Sequence, residues 1–363
     1  MHTWLEVDLK AIRENFLAVK EKVGKRKVLV CVKADGYGHG IVEVSRFLER
    51  EGVDFLGVAR WEEGAELRES GIKTPILILG SILPEDVNKA LKYRLRITVG
   101  DEEIIERVER EVLKSKVSIP LHLKVDTGMG RIGAGLEEAK RLASLILEKS
   151  LFLEGIFTHF PSAEDDEEFT LYQIKTFNSL VKELEEKGCK IPYVHMANSA
   201  GVLNFPSSYA DMVRPGIMIY GYYPSPQTKK SVRLTPSLTW KTKVVFIKKV
   251  DKGKSVSYGR TYYTHKPCKI LTLSVGYGDG YSRYLSNRGE VLIKGKKFPV
   301  VGRVCMDQIM VEVDRNFPVN KGEEVILMGK DLGVEDIAER INSIPHEVVV
   351  RIGKRVKRVY RNG

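Results

Sequence analysis

The chain has 363 residues, 43% hydrophobic and 29% charged, a composition typical of a folded globular protein rather than a fibrous or disordered one. No apolar run is long enough to span a bilayer and the charged N-terminus resembles no secretory signal, so we expect a cytoplasmic protein with no membrane partner. The net charge of +11 comes partly from a basic tail at 351–363, and no nucleic-acid reader motif accompanies it, so we expect no nucleic-acid partner. The four scattered cysteines predict neither disulfides nor a metal site.

Apolar residues at helical spacing predict a first helix over 8–23. Eight short apolar runs, each a candidate strand, then follow at 28–32, 55–59, 76–80, 95–99, 121–125, 153–159, 193–197 and 213–220. Most of the gaps carry a helical pattern, at 40–51, 61–70, 84–92, 101–114, 135–149 and 167–187. Eight strands alternating with helices predict an α/β fold, a (β/α)8 TIM-type barrel. An open doubly wound sheet is the alternative, which the count of eight disfavours.

After residue 230 the pattern changes to short apolar runs separated by turns, with one helical stretch at 334–342. This predicts a second, mostly β domain. The boundary is expected in the Pro-, Ser- and Thr-rich segment 222–236. We therefore predict a barrel domain at 1–230 and a β-rich C-terminal domain at 231–363, and leave open whether the first residues pack with the second domain.

The first strand ends at Lys33, followed by the glycine-rich stretch ADGYGHG. Functional groups of barrels gather at the carboxyl ends of strands, and a partly buried amine is a good nucleophile toward carbonyls. Lys33 could therefore bond to an aldehyde cofactor. A lysine that extends into solvent is an equally good interpretation. The spacing G-x-G-x-G differs from the dinucleotide fingerprint G-x-G-x-x-G.

Candidate site residues also follow the later strands. Arg131 offers a planar fork that could orient a tyrosine or a carboxylate, and the ring of His159 could stack on a flat cofactor. A charged turn and a structural histidine are the alternatives. After the last two runs, Ser199 precedes a helix and a glycine follows Arg214 by two positions. Because barrels often bind phosphate near strands seven and eight, we predict a phosphate cup. Its members are Tyr37, Ser199, Gly216 and Ile217.

Eight motifs occur here in the order found in alanine racemases, and the sequence resembles that family over essentially its whole length. They are VKADGYGHG, KVDTGMGRIG, THF, HMANSAG, VRPGIMIYG, VSYGRTYYT, GYGDGYSR and GRVCMDQ. The family consists of homodimeric fold-type III isomerases that use pyridoxal 5'-phosphate (PLP) and supply D-alanine for peptidoglycan. The resemblance thus implies a PLP cofactor, alanine as substrate, and a homodimer with shared active sites.

The resemblance also implies the two bases. Lys33 would bond to PLP and act on D-alanine, and Tyr258 would act on L-alanine from the opposite face, in the site of the partner subunit. Arg131 would hold that tyrosine and contact the substrate carboxylate, which the backbone N–H of Met306 would also contact. A phenol is a poor base at its free pKa of about 10, and a nearby cation lowers that pKa.

For the cofactor, the resemblance implies that Arg214 faces the pyridine nitrogen, that His159 positions it, and that the predicted cup holds the phosphate. A guanidinium disfavours protonation of the ring and so suppresses transamination. Lys124 corresponds to a lysine that is carbamylated in some members, where it neutralises Arg131. Lys354 stands where some members place a tyrosine on the phosphate, which leaves that contact open. The residues implied for the substrate site and its corridor are Tyr277, Arg283, Arg303 and Asp307.

Other functions are weighed against this one. A PLP-dependent racemase of serine or a basic amino acid would share most motifs, although a small pocket closed by Tyr258 and Tyr277 favours alanine. A fold-type III decarboxylase shares the barrel, but no signature here displaces the racemase set. A non-catalytic PLP-binding protein would resemble the barrel alone, and the second domain argues against it.

Overall fold

The computed structural model describes residues 2–363, which form two compact units. One unit comprises Arg13–Ile219 and Tyr223–Leu234. The other comprises the first residues through Ile12, Tyr220–Tyr222 and Thr235–Gly363. The chain begins with strand β1 (Thr3–Asp8) and the helix Leu9–Val23, which confirms the helix predicted at 8–23.

The larger unit is built on a closed barrel of eight parallel strands, which confirms the predicted TIM-type architecture. The strands are β2 (Lys27–Cys31), β3 (Phe55–Val58), β4 (Ile76–Ile78), β5 (Arg96–Val99), β6 (Leu121–Lys124), β7 (Leu153–Phe157), β8 (Tyr193–His195) and β9 (Met212–Val213). Each pairs with the next, and β2 closes the barrel on β9 through the pair Val28 and Val213. Most residues of these strands are apolar and buried, because helices cover one face of each strand and the barrel core the other. Four strands, β5 to β8, also carry polar side chains, among them Arg96, His122, Lys124, Glu154 and His195.

Helices connect the strands. They are Ile41–Arg50, Trp61–Glu69, Val87–Lys92, Glu102–Ser115, Leu136–Glu148, Glu167–Glu186 and Ser199–Asn204. Three of them begin at a side-chain cap that accepts a backbone N–H three residues on, at Asp101, Asp166 and Asn198. Among residues 2–363, no helix has the combination of length and apolar composition needed to cross a membrane.

The eighth apolar run differs from its predicted form. The strand has only two residues, Met212–Val213, and a 3-10 turn occupies Ile217–Tyr220. Pro215 lacks the N–H that a longer ladder would need, so the strand ends before it. The apolar residues of the run remain buried, but as a turn rather than as a strand.

The smaller unit is mostly β, as predicted. Its strands are β10 (Leu238–Val250), β11 (Ser255–Val256), β12 (Tyr262–Tyr263), β13 (Cys268–Leu273), β14 (Glu290–Ile293), β15 (Lys296–Pro299), β16 (Ile309–Asp314), β17 (Glu324–Met328) and β18 (Lys357–Arg361). The main sheet has the order β15-β14-β17-β10-β1-β18, and β13 pairs with both β10 and β16. β1 lies antiparallel to β10 and parallel to β18, so the two ends of the chain are neighbours in one sheet. The basic tail is thus partly an edge strand, and Arg361 pairs with Glu6.

The C-terminal part of this unit, Thr235–Gly363, contains the helices Val334–Arg340 and Pro345–Val350. The first confirms the helical stretch predicted at 334–342, and the second was not predicted because it has only six residues. Short 3-10 turns rather than strands hold the tyrosine and arginine motifs, at Tyr258–Arg260, Tyr277–Asp279 and Arg283–Leu285.

Candidate functional site

Lys33 lies two residues after the end of β2, half-buried at the carboxyl end of the barrel. The next four residues, Ala34, Asp35, Gly36 and Tyr37, all have φ between 52° and 60° and form one left-handed turn. Each non-glycine residue with left-handed φ and ψ angles raises the conformational energy by about 1–2 kcal/mol. Such strain persists only where the surroundings impose it, and it is typical of functional sites.

Two carboxylates, whose roles the sequence did not reveal, hold this turn. Glu63 accepts the Ala34 N–H at 2.7 Å with one oxygen and the Ala59 N–H at 2.7 Å with the other. Asp35 accepts the Ile41 N–H at 3.0 Å. The backbone that carries Lys33 is therefore anchored on both sides, and the amine is presented from a rigid segment.

The residues predicted as a phosphate cup come together at the last two strands. The Ser199 hydroxyl accepts the Gly216 N–H at 2.9 Å. An added Cβ at Gly216 would overlap the Tyr37 hydroxyl oxygen, so the phenol lies against bare backbone. Burial raises the pKa of Tyr37 well above its ordinary value, which keeps the hydroxyl protonated as a donor. Ile217 follows, fully buried in its 3-10 turn.

Arg214 is buried and satisfied by neutral acceptors. Its guanidinium donates to His195 Nδ1 at 3.0 Å, to the Thr158 carbonyl at 2.7 Å and to the Met196 carbonyl at 2.9 Å. Among the side chains of residues 2–363, no carboxylate pairs with it. Burial lowers its pKa to about 10, so it remains charged at neutral pH. The result is a buried cation whose charge is not neutralised by direct contact.

His159 lies beside Arg214, with Nδ1 3.3 Å from the guanidinium. Burial, followed by the charges of Arg214 and Lys124, lowers the pKa of His159 well below its ordinary value. The imidazole is therefore neutral. A neutral aromatic ring with a partly accessible surface can stack on a flat group without introducing a second charge beside Arg214.

Lys124 is 1% exposed at the end of β6, where Nζ donates to the Val125 carbonyl at 2.9 Å. Burial, followed by the charge of Arg214, lowers its pKa to about 7. A substantial fraction of this amine is therefore unprotonated at neutral pH. Asp126 shapes the loop that follows by accepting three backbone N–H groups, and that loop presents Arg131 to solvent. The sequence did not reveal this role of Asp126.

The other predicted residues lie in the β unit. The exposed fractions of Tyr258 and Met306 are 70% and 54%. Ser257, in a left-handed conformation with φ of 65°, donates to the Arg303 carbonyl at 2.6 Å, which places Arg303 beside the Tyr258 turn. The Tyr277 turn packs on the Met306 loop, because the Gly278 N–H donates to the Met306 carbonyl at 2.9 Å.

Two further arginines define the surroundings of this loop. Arg355 donates to Asp307 at 2.5 Å and to Asp279 at 2.6 Å, which holds the loop against the Tyr277 turn. Arg283 lines a cavity of about 390 Å³ together with Tyr277 and Arg351. Lys354 is exposed. The structure thus gathers the predicted residues into two groups, one at the barrel mouth and one on the β unit.

Comparison with known proteins identifies relatives over the full length. Residues 7–224 match the family model "Alanine racemase, N-terminal domain", and residues 237–360 match "Alanine racemase, C-terminal domain". A protein of Halothermothrix orenii named alanine racemase is 44% identical over 370 residues, 99% of this chain and 97% of the relative.

Solved structures agree with this. The alanine racemase of Clostridium difficile 630 superposes with a TM-score of 0.96 at 39% identity, covering 99% of this chain and 96% of that one. An alanine racemase from Bartonella henselae, solved with covalently bound pyridoxal phosphate, has a TM-score of 0.91 at 28% identity and covers 99% and 100% of the two chains.

Proposed function

The chain belongs to the alanine racemase family, and from this premise we propose that it interconverts L-alanine and D-alanine with PLP and two bases. The observation that carries the proposal is the arrangement at the barrel mouth. There, the strained turn after Lys33 places Tyr37 against Gly216, whose N–H donates to Ser199, at the same end of the barrel as the buried cation Arg214.

The residues present suit PLP. Lys33 offers an amine for its aldehyde, while the Tyr37 hydroxyl and the bare backbone at Gly216 suit a phosphate. Arg214 and the neutral ring of His159 suit a flat pyridine. When bound, PLP supplies an aldehyde for the substrate amine and an electron sink that makes the α-proton of alanine acidic. A relative carries this cofactor covalently, in agreement with the proposal.

Two bases are required because a single base returns the proton to the face from which it came. In the proposal, Lys33 takes and returns the proton on one face, and Tyr258 does so on the other. Because the exposed fraction of Tyr258 is 70% within one chain, a phenol in this position needs further protein to exclude water. We propose that a second copy of the chain does this, so that Tyr258 serves the site of the partner subunit in a homodimer.

The remaining residues bind and orient. Arg131 is assigned to the substrate carboxylate and to the Tyr258 phenol, for which its exposed position in the Asp126 loop leaves it available. Met306 and Asp307 are assigned to the substrate and Tyr277, Arg283 and Arg303 to its corridor. Because Arg214 carries an unneutralised charge, it disfavours a proton on a group beside it, which limits transamination.

Incubation with PLP and L-alanine in D₂O tests the function directly. We expect the optical rotation and the α-proton NMR signal to disappear together, ending in a racemic mixture. Loss of the α-proton with retained chirality would mean exchange on one face only and would refute the two-base assignment. No change with alanine, but racemisation of serine, lysine or arginine, would move the proposal to that substrate. The cytoplasm is the proposed location, because the four cysteines are scattered along the sequence in no pattern typical of a disulfide framework.

A Gly216→Ala substitution tests the cofactor cup. The added Cβ would overlap the Tyr37 hydroxyl, and the shifts in structure that such overpacking forces cost about 1–3 kcal/mol. We expect the PLP affinity of the cofactor-free protein to fall roughly tenfold or more, measured by absorbance titration. Gly135→Ala is the matched control, because nothing lies within 4 Å of its added Cβ. Unchanged PLP affinity in Gly216→Ala would remove Gly216 from the cup.

A Lys124→Met substitution tests the buried amine in CO₂-free buffer. Folding lowers the pKa of Lys124 from 10.5 to about 7. Between these two pH values, the unfolded chain therefore binds more protons than the folded chain. The free energy of unfolding of the wild-type protein should therefore rise with pH in that window relative to the variant, by about 2–3 kcal/mol between pH 7 and pH 9. Chemical denaturation at the two pH values measures this. Parallel pH profiles would contradict it.

The same amine is the proposed carbamylation site, since an unprotonated lysine attacks CO₂ and the resulting carbamate would neutralise Arg131. In bicarbonate, we expect intact-protein mass spectrometry under native conditions to show an added CO₂ that is absent from Lys124→Met. Labelling with ¹³C-bicarbonate gives the matching carbamate NMR signal. A wild-type protein without either signal would leave Lys124 as a free amine.

A further inference from the structure

A hydrogen-bonded row of polar side chains, which we call the polar chain, crosses the interior of the barrel and ends on Arg214. It runs through Arg96 on β5, Glu154 on β7, His122 on β6 and His195 on β8. Both histidines are completely buried, and Glu154 is 6% exposed. Burial of polar groups is costly unless each is hydrogen-bonded, so a chain of this length in a barrel core requires a compensating reason.

Only one arrangement of protons satisfies every hydrogen bond of the polar chain. Burial raises the pKa of Glu154, but hydrogen bonds from His122 and Arg96 more than offset this, so the carboxylate is ionised. It accepts from Arg96 at 2.5 and 3.0 Å and from His122 Nε2 at 3.0 Å. An ionised carboxylate only accepts, so the proton of His122 is on Nε2.

The pattern then propagates toward Arg214. Burial lowers the pKa of both histidines, so both rings are neutral and each has one donor and one acceptor. His122 Nδ1 must accept from His195 Nε2, 2.9 Å away. His195 Nδ1 is then left as the acceptor for the Arg214 guanidinium at 3.0 Å. The opposite tautomer of His195 would place two donors against each other.

Packing prevents the rings from turning. His195 stacks on Phe157 with ring centroids 4.7 Å apart and an angle of 5° between planes. His122 meets His195 edge-on at 5.1 Å. Gly155 leaves room for His122, since a Cβ there would overlap its Nδ1. The orientation of Glu154 is therefore transmitted through two fixed rings to Arg214.

The two histidines connect Glu154 to Arg214 without bringing the carboxylate into contact with the guanidinium. Arg214 receives a directed acceptor whose proton state depends on Glu154, while two neutral imidazoles keep the carboxylate itself away from the guanidinium. A carboxylate in direct contact would neutralise much of the positive charge that Arg214 presents to the site.

We propose that Glu154, His122 and His195 are positioning residues that hold Arg214 in one orientation with its charge unneutralised, and that this arrangement favours racemisation over transfer of the amino group to the cofactor. The second half of this inference rests on the proposed function. The first half concerns the protein alone and can be tested without cofactor.

The first test uses cofactor-free protein labelled with ¹⁵N-histidine. NMR should show the Nε2–H tautomer for His122 and His195, with two protected, downfield imidazole protons. In Glu154→Gln, which keeps the size and removes the charge, both protons should shift upfield. The control is Glu49→Gln, which alters a carboxylate that accepts from Lys73 and Thr74 and is not part of the polar chain. It should leave both imidazole protons unchanged. Nδ1–H tautomers, or a His195 signal insensitive to Glu154→Gln, would overturn the proposal.

The second test measures reaction specificity with PLP and alanine. Amino-group transfer exchanges the amino group of alanine for the aldehyde oxygen of PLP, which yields pyruvate and pyridoxamine phosphate without another reactant. We expect pyruvate formed per racemisation event to rise about tenfold in His195→Phe, which keeps the stack on Phe157 but removes an acceptor from a charged group. Glu154→Gln should raise the ratio less, and Glu49→Gln not at all.

The outcomes separate the two proposals. A wild-type protein that racemises no amino acid refutes the proposed function, and the NMR result then decides whether the polar chain positions Arg214. If the wild-type protein racemises alanine and His195→Phe and Glu154→Gln form the same amount of pyruvate per racemisation event as the wild type, the effect of the polar chain on reaction specificity is refuted. If His195→Phe does not fold, Glu154→Gln decides both parts.

Discussion

Lys33→Ala is expected to abolish racemisation of both enantiomers, lowering the rate by about 10³-fold or more. Loss of a positioned general base alone accounts for roughly 10²–10⁴-fold, and Lys33 is also the residue assigned to the cofactor aldehyde. Racemisation is followed by polarimetry and α-proton exchange in D₂O. Borohydride reduction should attach the cofactor to the peptide containing Lys33 in the wild-type protein and to no peptide in the variant.

The matched control is Lys27→Ala. Lys27 begins the same strand, β2, at the opposite end of the barrel, and it pairs with Asp54 at the surface. Because surface ion pairs contribute little, this variant should racemise alanine normally. A Lys33→Ala variant that still racemises alanine and binds the cofactor covalently elsewhere would refute the assignment of Lys33.

Tyr258→Phe is expected to produce an asymmetric defect. Removal of the base on one face should slow α-proton loss from L-alanine by about 10²–10⁴-fold. D-alanine should still exchange its α-proton for deuterium at the Lys33 face and remain D-alanine. NMR with chiral analysis distinguishes the two enantiomers. Tyr263→Phe, an exposed tyrosine on the neighbouring strand β12, serves as the control. Equal slowing of exchange for both enantiomers would contradict a one-face role.

Mixing the two inactive variants tests whether Tyr258 acts across a dimer. If each site combines Lys33 of one chain with Tyr258 of the other, a mixed dimer contains one intact site and one doubly defective site. Random reassembly would then restore about a quarter of the wild-type activity. If both residues belong to the same chain, no site is intact and no activity returns. The experiment needs dissociation and reassembly of the dimer, which size-exclusion chromatography follows.

The sequence alone was enough to predict the barrel and most of its strands. Parallel strands buried on both faces appear as continuous apolar runs, and the helices between them keep a separate period, so local pattern and global fold agree. The functional side chains at strand ends could be predicted for the same reason, because a barrel directs the residue after each strand toward one end. Lys33 after β2 and His159 after β7 are examples.

Local conformation set by distant residues could not be predicted. The left-handed turn after Lys33 depends on Glu63, almost thirty residues away, and the run 213–220 becomes a turn rather than a strand. The pairing of β1 with β10 and β18 joins residues more than two hundred positions apart, for which no local pattern exists.

Electrostatics likewise required the tertiary structure. In the sequence, His122 and Glu154 are isolated polar residues within apolar runs, and nothing in their spacing indicates that they meet. Their contact arises because β6 and β7 are neighbours, and β8 adds His195 beside them. The lowered pKa of Lys124 and the unneutralised charge of Arg214 both depend on burial. Sequence therefore determined the fold and the candidate side chains, whereas packing determined their conformation and charge, because dielectric and contact are properties of neighbours in space.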